Sequence, residues 1–264
     1  MFYTPTLQHR NTATPQHPNT PYSYSTPNDQ NSTLYHRAPD VSSRPVRIPI
    51  NPKKTMNQAP DPSLWNTITP LPGKYGHASL IPLAREHKDA LTEAVKDGSL
   101  WNLWYARVPS PEGMEVEIDR RLALYEAGEM HPYTVLNHEG KIVGMTCYQM
   151  LDAKNRRVKV GYTWYAASVQ KTPLNTEAKL LLLTHAFEQL QAISVCFTTA
   201  TYNLASRRAI ERLGAKLDGI LRNHSLYDDG TSRDTCYYSI IDGEWPAVRK
   251  NLTWKLEQHT TGGE

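Results

Sequence analysis

The chain has 264 residues, of which 39% are hydrophobic and 21% charged, with mean hydropathy −0.58 and a formal net charge of +3. That length allows one large domain or two small ones, and no apolar run approaches the ~18–20 residues that cross a bilayer, which excludes a transmembrane protein. Three widely spaced cysteines (Cys147, Cys196, Cys236) exclude a disulfide framework and offer no metal-ligand spacing; they read as small buried hydrophobes in a reducing compartment, hence a cytoplasmic protein.

Residues 1–60 hold 10 of the 19 prolines and none of the 14 glycines, with no Trp or Cys. Such a stretch buries too little apolar surface to offset its chain entropy and reads as a disordered tail. It carries six Lys/Arg against two Asp, which leaves 23 basic and 24 acidic side chains for residues 61–264, read as a single domain. A nearly neutral folded part does not advertise nucleic acid or an anionic membrane as a partner. The composition changes just after Met56, so a translation start at Met56 is the alternative to a solvated extension. The first residues lack the apolar core and amphipathicity of a targeting segment.

The elements follow in chain order. Lys74–Ala84 reads as a first strand. Arg85–Asp97 has helical spacing and stops at Gly98; Met114–Ala127 is a second helix before Gly128. His131–Asn137 and Lys141–Leu151 form a hairpin around His138–Glu139–Gly140, and Arg157–Ala166 is a further strand. Thr176–Leu190 is a strong helix whose Leu180–Leu183 run predicts burial on more than one side. Ser194–Ala200 is a strand, and Ser206–Leu213 a helix closed by Gly214, a residue suited to a left-handed C-cap. Leu217–Tyr227 and Thr231–Ile241 flank the turn Asp228–Asp229–Gly230. Glu244–Leu256 ends the fold as a helix, with Pro246 in its first turn. This order, β-α-α-β-β-β-α-β-α-β-β-α, predicts a mixed α/β fold on a largely antiparallel sheet.

Val169–Lys179 is the informative stretch: a strand ends, a polar loop turns and a helix begins, with Asn175 or Thr176 as N-cap. Free N–H groups at a helix start, with Lys171 beside them, suit a phosphate or pyrophosphate. Gln170–Lys171–Thr172–Pro173–Leu174–Asn175, followed by Thr176–Glu177–Ala178, resembles the Q/R-x-x-G-x-G/A loop of the GNAT N-acetyltransferase superfamily, specifically its RimJ/RimL-like branch. Asn203 to Ala215 resembles that family's N-x-x-S-x-x-x-x-x-x-x-G-A/F segment. The hairpin with Arg222, Asp229–Gly230 and Arg233–Asp234 resembles the branch's ending. The likeness spans about residues 74–256.

The resemblance implies a central splayed sheet flanked by helices, acetyl-CoA as co-substrate and acetyl transfer to a primary amine, either a protein N-terminus or a small molecule. It implies a cofactor site made by Tyr165, Gln170, Lys171, Thr172, Leu174, Asn175, Thr176 and Asn203, with Asn203 on the pantetheine chain. It implies that Ser206 is the acid for the leaving thiolate; the alternative for Ser206 is a helix cap. No metal is implied, and dimerisation is left open. The departures are Pro173 in place of the loop's first Gly, Asn175 in place of Gly or Ala, Ile210 where a tyrosine acid often stands, and Lys159 where a carboxylate base is expected. Those changes leave a second reading, an acyl-CoA-binding sensor or interaction module without turnover. Glu177 reads as a dipole-complementing residue, and His138 and His185 as solvated and helix-face residues. Trp101, Trp104 and Tyr105 read either as an amine-binding wall or as packing against the sheet.

Overall fold

The computed structural model describes residues 61–260. The disordered-tail reading of residues 1–60 and the Met56 alternative lie outside the described residues. Seven strands form one sheet: β1 (Ser79–Pro82), β2 (Met130–Leu136), β3 (Ile142–Asp152), β4 (Arg157–Tyr165), β5 (Ser194–Ala200), β6 (Lys216–Leu226) and β7 (Ser232–Ile241). Their order is β1-β2-β3-β4-β5-β7-β6, and every pairing is antiparallel except β4 with β5. The helices are α1 (Lys88–Lys96), α2 (Met114–Glu126), α3 (Leu174–Thr184), α4 (Leu204–Arg212) and α5 (Trp245–Thr260). Element order and type therefore match the sequence reading.

The sheet's one parallel pair is joined through α3, as a parallel connection requires. Helix α1 packs on β3, α2 on β2, α4 on β5, and α5 on α3. That last contact explains the Leu180–Leu183 run: α3 is covered on a second side, and all four leucines are buried. Gly214 has φ +101°, the left-handed C-cap that its place after α4 predicts.

One element differs from expectation. The first strand covers only Ser79–Pro82, and residues 74–78 form a loop. The cause is Glu177. Its buried carboxylate accepts four backbone N–H groups: Oε1 from Lys74 and Tyr75 at 2.6 and 2.7 Å, Oε2 from His77 and Ala78 at 2.6 and 3.0 Å. These donors curl around the carboxylate rather than joining a ladder. Gly73 enters this loop where a Cβ would sit 2.1 Å from the Ala78 carbonyl oxygen, so no larger residue fits. Glu177 thus ties the chain's entry to the first turn of α3, a structural task that its helix position did not reveal.

Removing that carboxylate orphans four donors in or near the interior, each costing ~1–3 kcal/mol. Glu177→Ala is expected to lower stability by at least ~3 kcal/mol, and Glu177→Gln, which keeps one acceptor oxygen, by less. Urea midpoints at constant m-value read the difference.

Candidate functional site

Strands β4 and β5 pair only from Arg157↔Ser194 to Val160↔Phe197; beyond that point they run apart. The divergence begins at a bulge. Opposite β3, Met145 pairs with Trp164 and Cys147 with Gly161, so Tyr162 and Thr163 face the single residue Thr146. Tyr162 has φ +44°, which costs a non-glycine residue about 1–2 kcal/mol and persists only when its surroundings hold it.

Two helices hold it. Arg121 of α2, wholly buried, donates from Nη2 to the Tyr162 carbonyl at 3.0 Å and from Nε to Glu117 at 2.7 Å. Burial alone would raise the Glu117 carboxyl, but hydrogen bonds and charge from Arg120 and Arg121 outweigh it and hold it below its ordinary pKa. The Arg120 guanidinium lies 5.0 Å from the Tyr162 ring centroid. From α3, Lys179 sends its buried Nζ to Thr163 Oγ1 at 2.8 Å and Thr146 Oγ1 at 3.2 Å. No carboxylate accompanies it in these bonds, and burial brings its pKa down to about 7. Neither Arg121 nor Lys179 was singled out from sequence. A helical run rich in leucine gives no sign that one lysine turns inward to two threonines.

The loop after β4 makes the second part of the site. Lys171 is left-handed at φ +61°, and α3 starts at Leu174 with Pro173 as its N-cap residue, which corrects the reading of Asn175 or Thr176 as the cap. Thr172 Oγ1 instead accepts the Leu174 N–H at 3.3 Å. The N–H groups of Asn175 and Thr176 have no acceptor among the described residues. A cavity of about 260 Å³ opens here, lined by Lys171, Thr172 and Thr176 of the expected set. Arg212 at the end of α4, together with Trp254, Lys255 and His259 of α5, completes it. Arg212 donates to Thr176 Oγ1 at 3.4 Å, and Lys255 to the Arg212 carbonyl at 2.9 Å. Burial, and after it the Arg212 charge, pushes the Lys255 ammonium below its ordinary pKa.

The remaining expected residues spread around this core. Gln170 turns back, donating from Nε2 to the Tyr165 carbonyl at 3.0 Å, so it fixes the strand end. Leu174 is buried in the core, Asn175 is half-buried, and Tyr165 is buried with its hydroxyl unpaired among the described residues. Asn203 and Ser206 stand past the end of β5, across the divergence from Tyr165. Asn203 caps α4 by accepting the Ser206 N–H at 3.0 Å. Ser206 therefore lies inside the helix and is not its cap; its hydroxyl has no partner among the described residues. Trp104, 61% exposed, lies 5.6 Å from the Tyr202 ring and 5.2 Å from the Tyr227 ring, so it packs on the loops after β5 and β6, whereas Trp101 packs against the core. His185 is buried and stacked on Tyr148, with its pKa depressed to about 4 by burial. Cys147 and Cys236 are buried, whereas Cys196 is half-buried and lines a larger cavity.

Residues 78–216 match the acetyltransferase (GNAT) domain model, a span that contains both divergent strands and the loop between them. The chain belongs to the GNAT acetyltransferase family. Among its relatives is YdaF of Bacillus subtilis, named as a candidate ribosomal N-acetyltransferase, 36% identical over 110 residues, which are 42% of this chain and 59% of YdaF. The match therefore spans about three fifths of that GNAT relative's length. A GCN5-related N-acetyltransferase from Brucella melitensis is 25% identical with a TM-score of 0.66, covering 76% of this chain and 90% of that one. Mycobacterium smegmatis RimJ, solved with CoA-disulfide, shares the fold at 20% identity and TM-score 0.61, covering 73% and 96%. The resemblance is thus borne out at the level of the GNAT family. Beyond residue 216, α5 lies outside the matched GNAT span yet walls the 260 Å³ cavity.

The buried lysine sets a pH dependence. Its folded pKa of about 7 lies below the unfolded 10.5, so the unfolded chain binds the extra proton between these values. Stability should rise with pH from about 7 to 10.5 and carry a constant penalty below that window. Lys179→Met is expected to stabilise the protein at pH 6 and to flatten the rise towards pH 10, as read by urea unfolding at the two pH values.

Proposed function

We propose that the protein transfers the acetyl group of acetyl-CoA to a primary amine, a protein N-terminus or a small-molecule amine. The observation that carries this reading is the divergence of β4 and β5 past Val160 and Phe197, with a cationic cavity at the start of α3 beside it. The free Asn175 and Thr176 amides, Lys171, Arg212 and Lys255 suit the pyrophosphate and phosphate of CoA. Pro173 removes one amide donor from the loop, and the charges of Arg212 and Lys255 offset that loss. Trp254 offers an aromatic face at the same cavity.

Bound acetyl-CoA supplies the activated acetyl group. This chain's residues do the rest. The β4 edge from Gly161 to Tyr165 lacks a strand partner on the β5 side, which leaves backbone N–H groups to stabilise charge developing on the thioester oxygen. Asn203 uses its carbonyl oxygen on the cap, so its amide group remains to donate towards pantetheine. The unpartnered Ser206 hydroxyl is the acid for the departing thiolate. The acceptor ammonium loses its proton before attack, because only the free amine is a nucleophile. A cytoplasmic location, on the strength of three unpaired thiols, belongs to this reading.

Calorimetric titration of the full chain with acetyl-CoA tests the cofactor half. Lys255→Glu and Arg212→Glu are each expected to weaken binding about tenfold or more, since a charge-assisted hydrogen bond is worth ~1.5–3 kcal/mol. Ser206→Ala should lower the acetylation rate over an amine panel and leave acetyl-CoA affinity unchanged. Unaltered affinity in both charge variants would remove α5 from the site.

A further inference from the structure

Side chains alternate across a strand, and β7 divides its two tyrosines accordingly. Tyr238 turns to the side of α4, where its hydroxyl accepts from Arg207 Nε at 3.0 Å and donates to Glu211 at 2.8 Å. Tyr237 therefore faces the other side of the sheet. There it is half-buried and lines the larger cavity, about 690 Å³, with Tyr162 of the bulge and the cross-strand pair Lys159 and Cys196. Its register partner on β5 is Thr198, the first residue past Phe197, where the pairing with β4 stops. Tyr237 thus stands one strand from the opening, on the face opposite the helix that carries Ser206. The carboxylates on the cavity wall, Glu129 and Asp152, belong to its other end: Asp152 pairs with Arg157, level with Ser194 at the start of β5.

Behind Tyr237 stands His224 of β6. The two rings meet edge to face, 5.6 Å between centroids and 82° between planes. His224 Nε2 lies 3.5 Å from the Tyr237 hydroxyl, and Nδ1 lies 3.1 Å from Oγ1 of Thr235, a buried residue paired with Ala200 at the end of β5. Neither hydroxyl has another hydrogen-bond partner among the described residues. An imidazole that donates its Nδ1–H to Thr235 keeps a lone pair on Nε2, and that nitrogen faces the tyrosine O–H. His224 is itself exposed, so the pair leads from the cavity to water. The 3.5 Å separation is long for O–H···N, a common state of catalytic contacts before substrate binds.

The geometry points to Tyr237 and His224 as the proton acceptor for the incoming amine. The Tyr237 oxygen takes a proton from the acceptor ammonium as its own proton passes to His224 Nε2. The acceptor is left as a free amine and the histidine as an imidazolium, which returns its proton to water. Histidine suits that step because its charge changes near neutral pH. This deepens the acetyltransferase reading and rests on it for the acceptor. Tyr237 is the catalytic residue, since it meets the acceptor; His224 receives the proton through it, and Thr235 is a positioning residue that sets the tautomer.

Two measurements on the full chain test this. Nitrogen-15 NMR reads the tautomer of neutral His224, assigned by the signal that His224→Gln removes. A protonated Nδ1 and a bare Nε2 are expected, and a protonated Nε2 overturns the relay. Acetylation rates with acetyl-CoA are then compared for ethylamine, an ammonium at neutral pH, and trifluoroethylamine, already a free amine there. Tyr237→Phe and His224→Gln should each lower kcat on ethylamine about 100-fold, within what a positioned base supplies. Both should leave acetyl-CoA affinity unchanged and acetylate trifluoroethylamine as fast as the unaltered chain does. Added imidazole should restore the ethylamine rate of His224→Gly, which a purely structural ring would not allow. Equal losses on the two amines, or full ethylamine rates in both variants, overturn the relay and leave the transferase standing. Failure of the unaltered chain to acetylate any amine removes the transferase reading, and the relay with it.

Discussion

The geometry of this protein depends on one backbone constraint, the bulge that places Tyr162 at a left-handed φ and turns β4 away from β5. A parallel pair with full hydrogen bonding would leave neither a free strand edge nor a gap between the two strands. The bulge ends that pairing after four residue pairs. It is costly in itself, and the cost is offset by a buried arginine on one helix and a buried lysine on another. Both donors grip the two residues that form the bulge. The opening is therefore a property of three elements packed together rather than of β4 alone.

The second organising feature is the distribution of charge. Residues 61–264 are nearly neutral in sum, yet cations gather at two cavities. At the start of α3, Lys171, Arg212 and Lys255 come from a loop, the end of one helix and the last helix of the fold. Along β4, Arg157 and Lys159 lie on the face that also carries Cys196 and Tyr237. Several acids are used on structure: Glu117 on two arginines and Glu177 on four backbone amides, while Asp152 stays on the β4 cavity wall opposite Arg157. Near-zero net charge thus coexists with a cationic cavity at the start of α3, because much of the negative half of the balance is spent on structure.

Much of the architecture was legible in the sequence. Hydrophobic period and turn residues named all twelve strands and α-helices, because each is a local pattern. The Leu180–Leu183 run announced burial on two sides, and α5 supplies the second. The loop from Gln170 to Asn175 was located from its place between strand and helix and from its family likeness. The failures are as instructive. Loop 74–78 read as strand because its four amides are satisfied by Glu177, about a hundred residues away. The alternative of Ser206 as a cap fails because the residues just before a helix are interchangeable by composition, and the structure assigns the cap to Asn203.

What the sequence determined by itself was therefore the set of elements, their order and the family frame, each of which rests on contacts or spacings within a few turns of chain. The tertiary structure alone decided which charges meet. Lys255 reaches Arg212 only because α5 folds back across α3, Lys179 is drawn beneath β4 only because Thr146 and Thr163 stand side by side, and Glu177 becomes an anchor only because a distant loop closes on it. Electrostatics and hydrogen bonding act over a few ångströms in space whatever the separation along the chain, and a periodic pattern carries no record of that proximity.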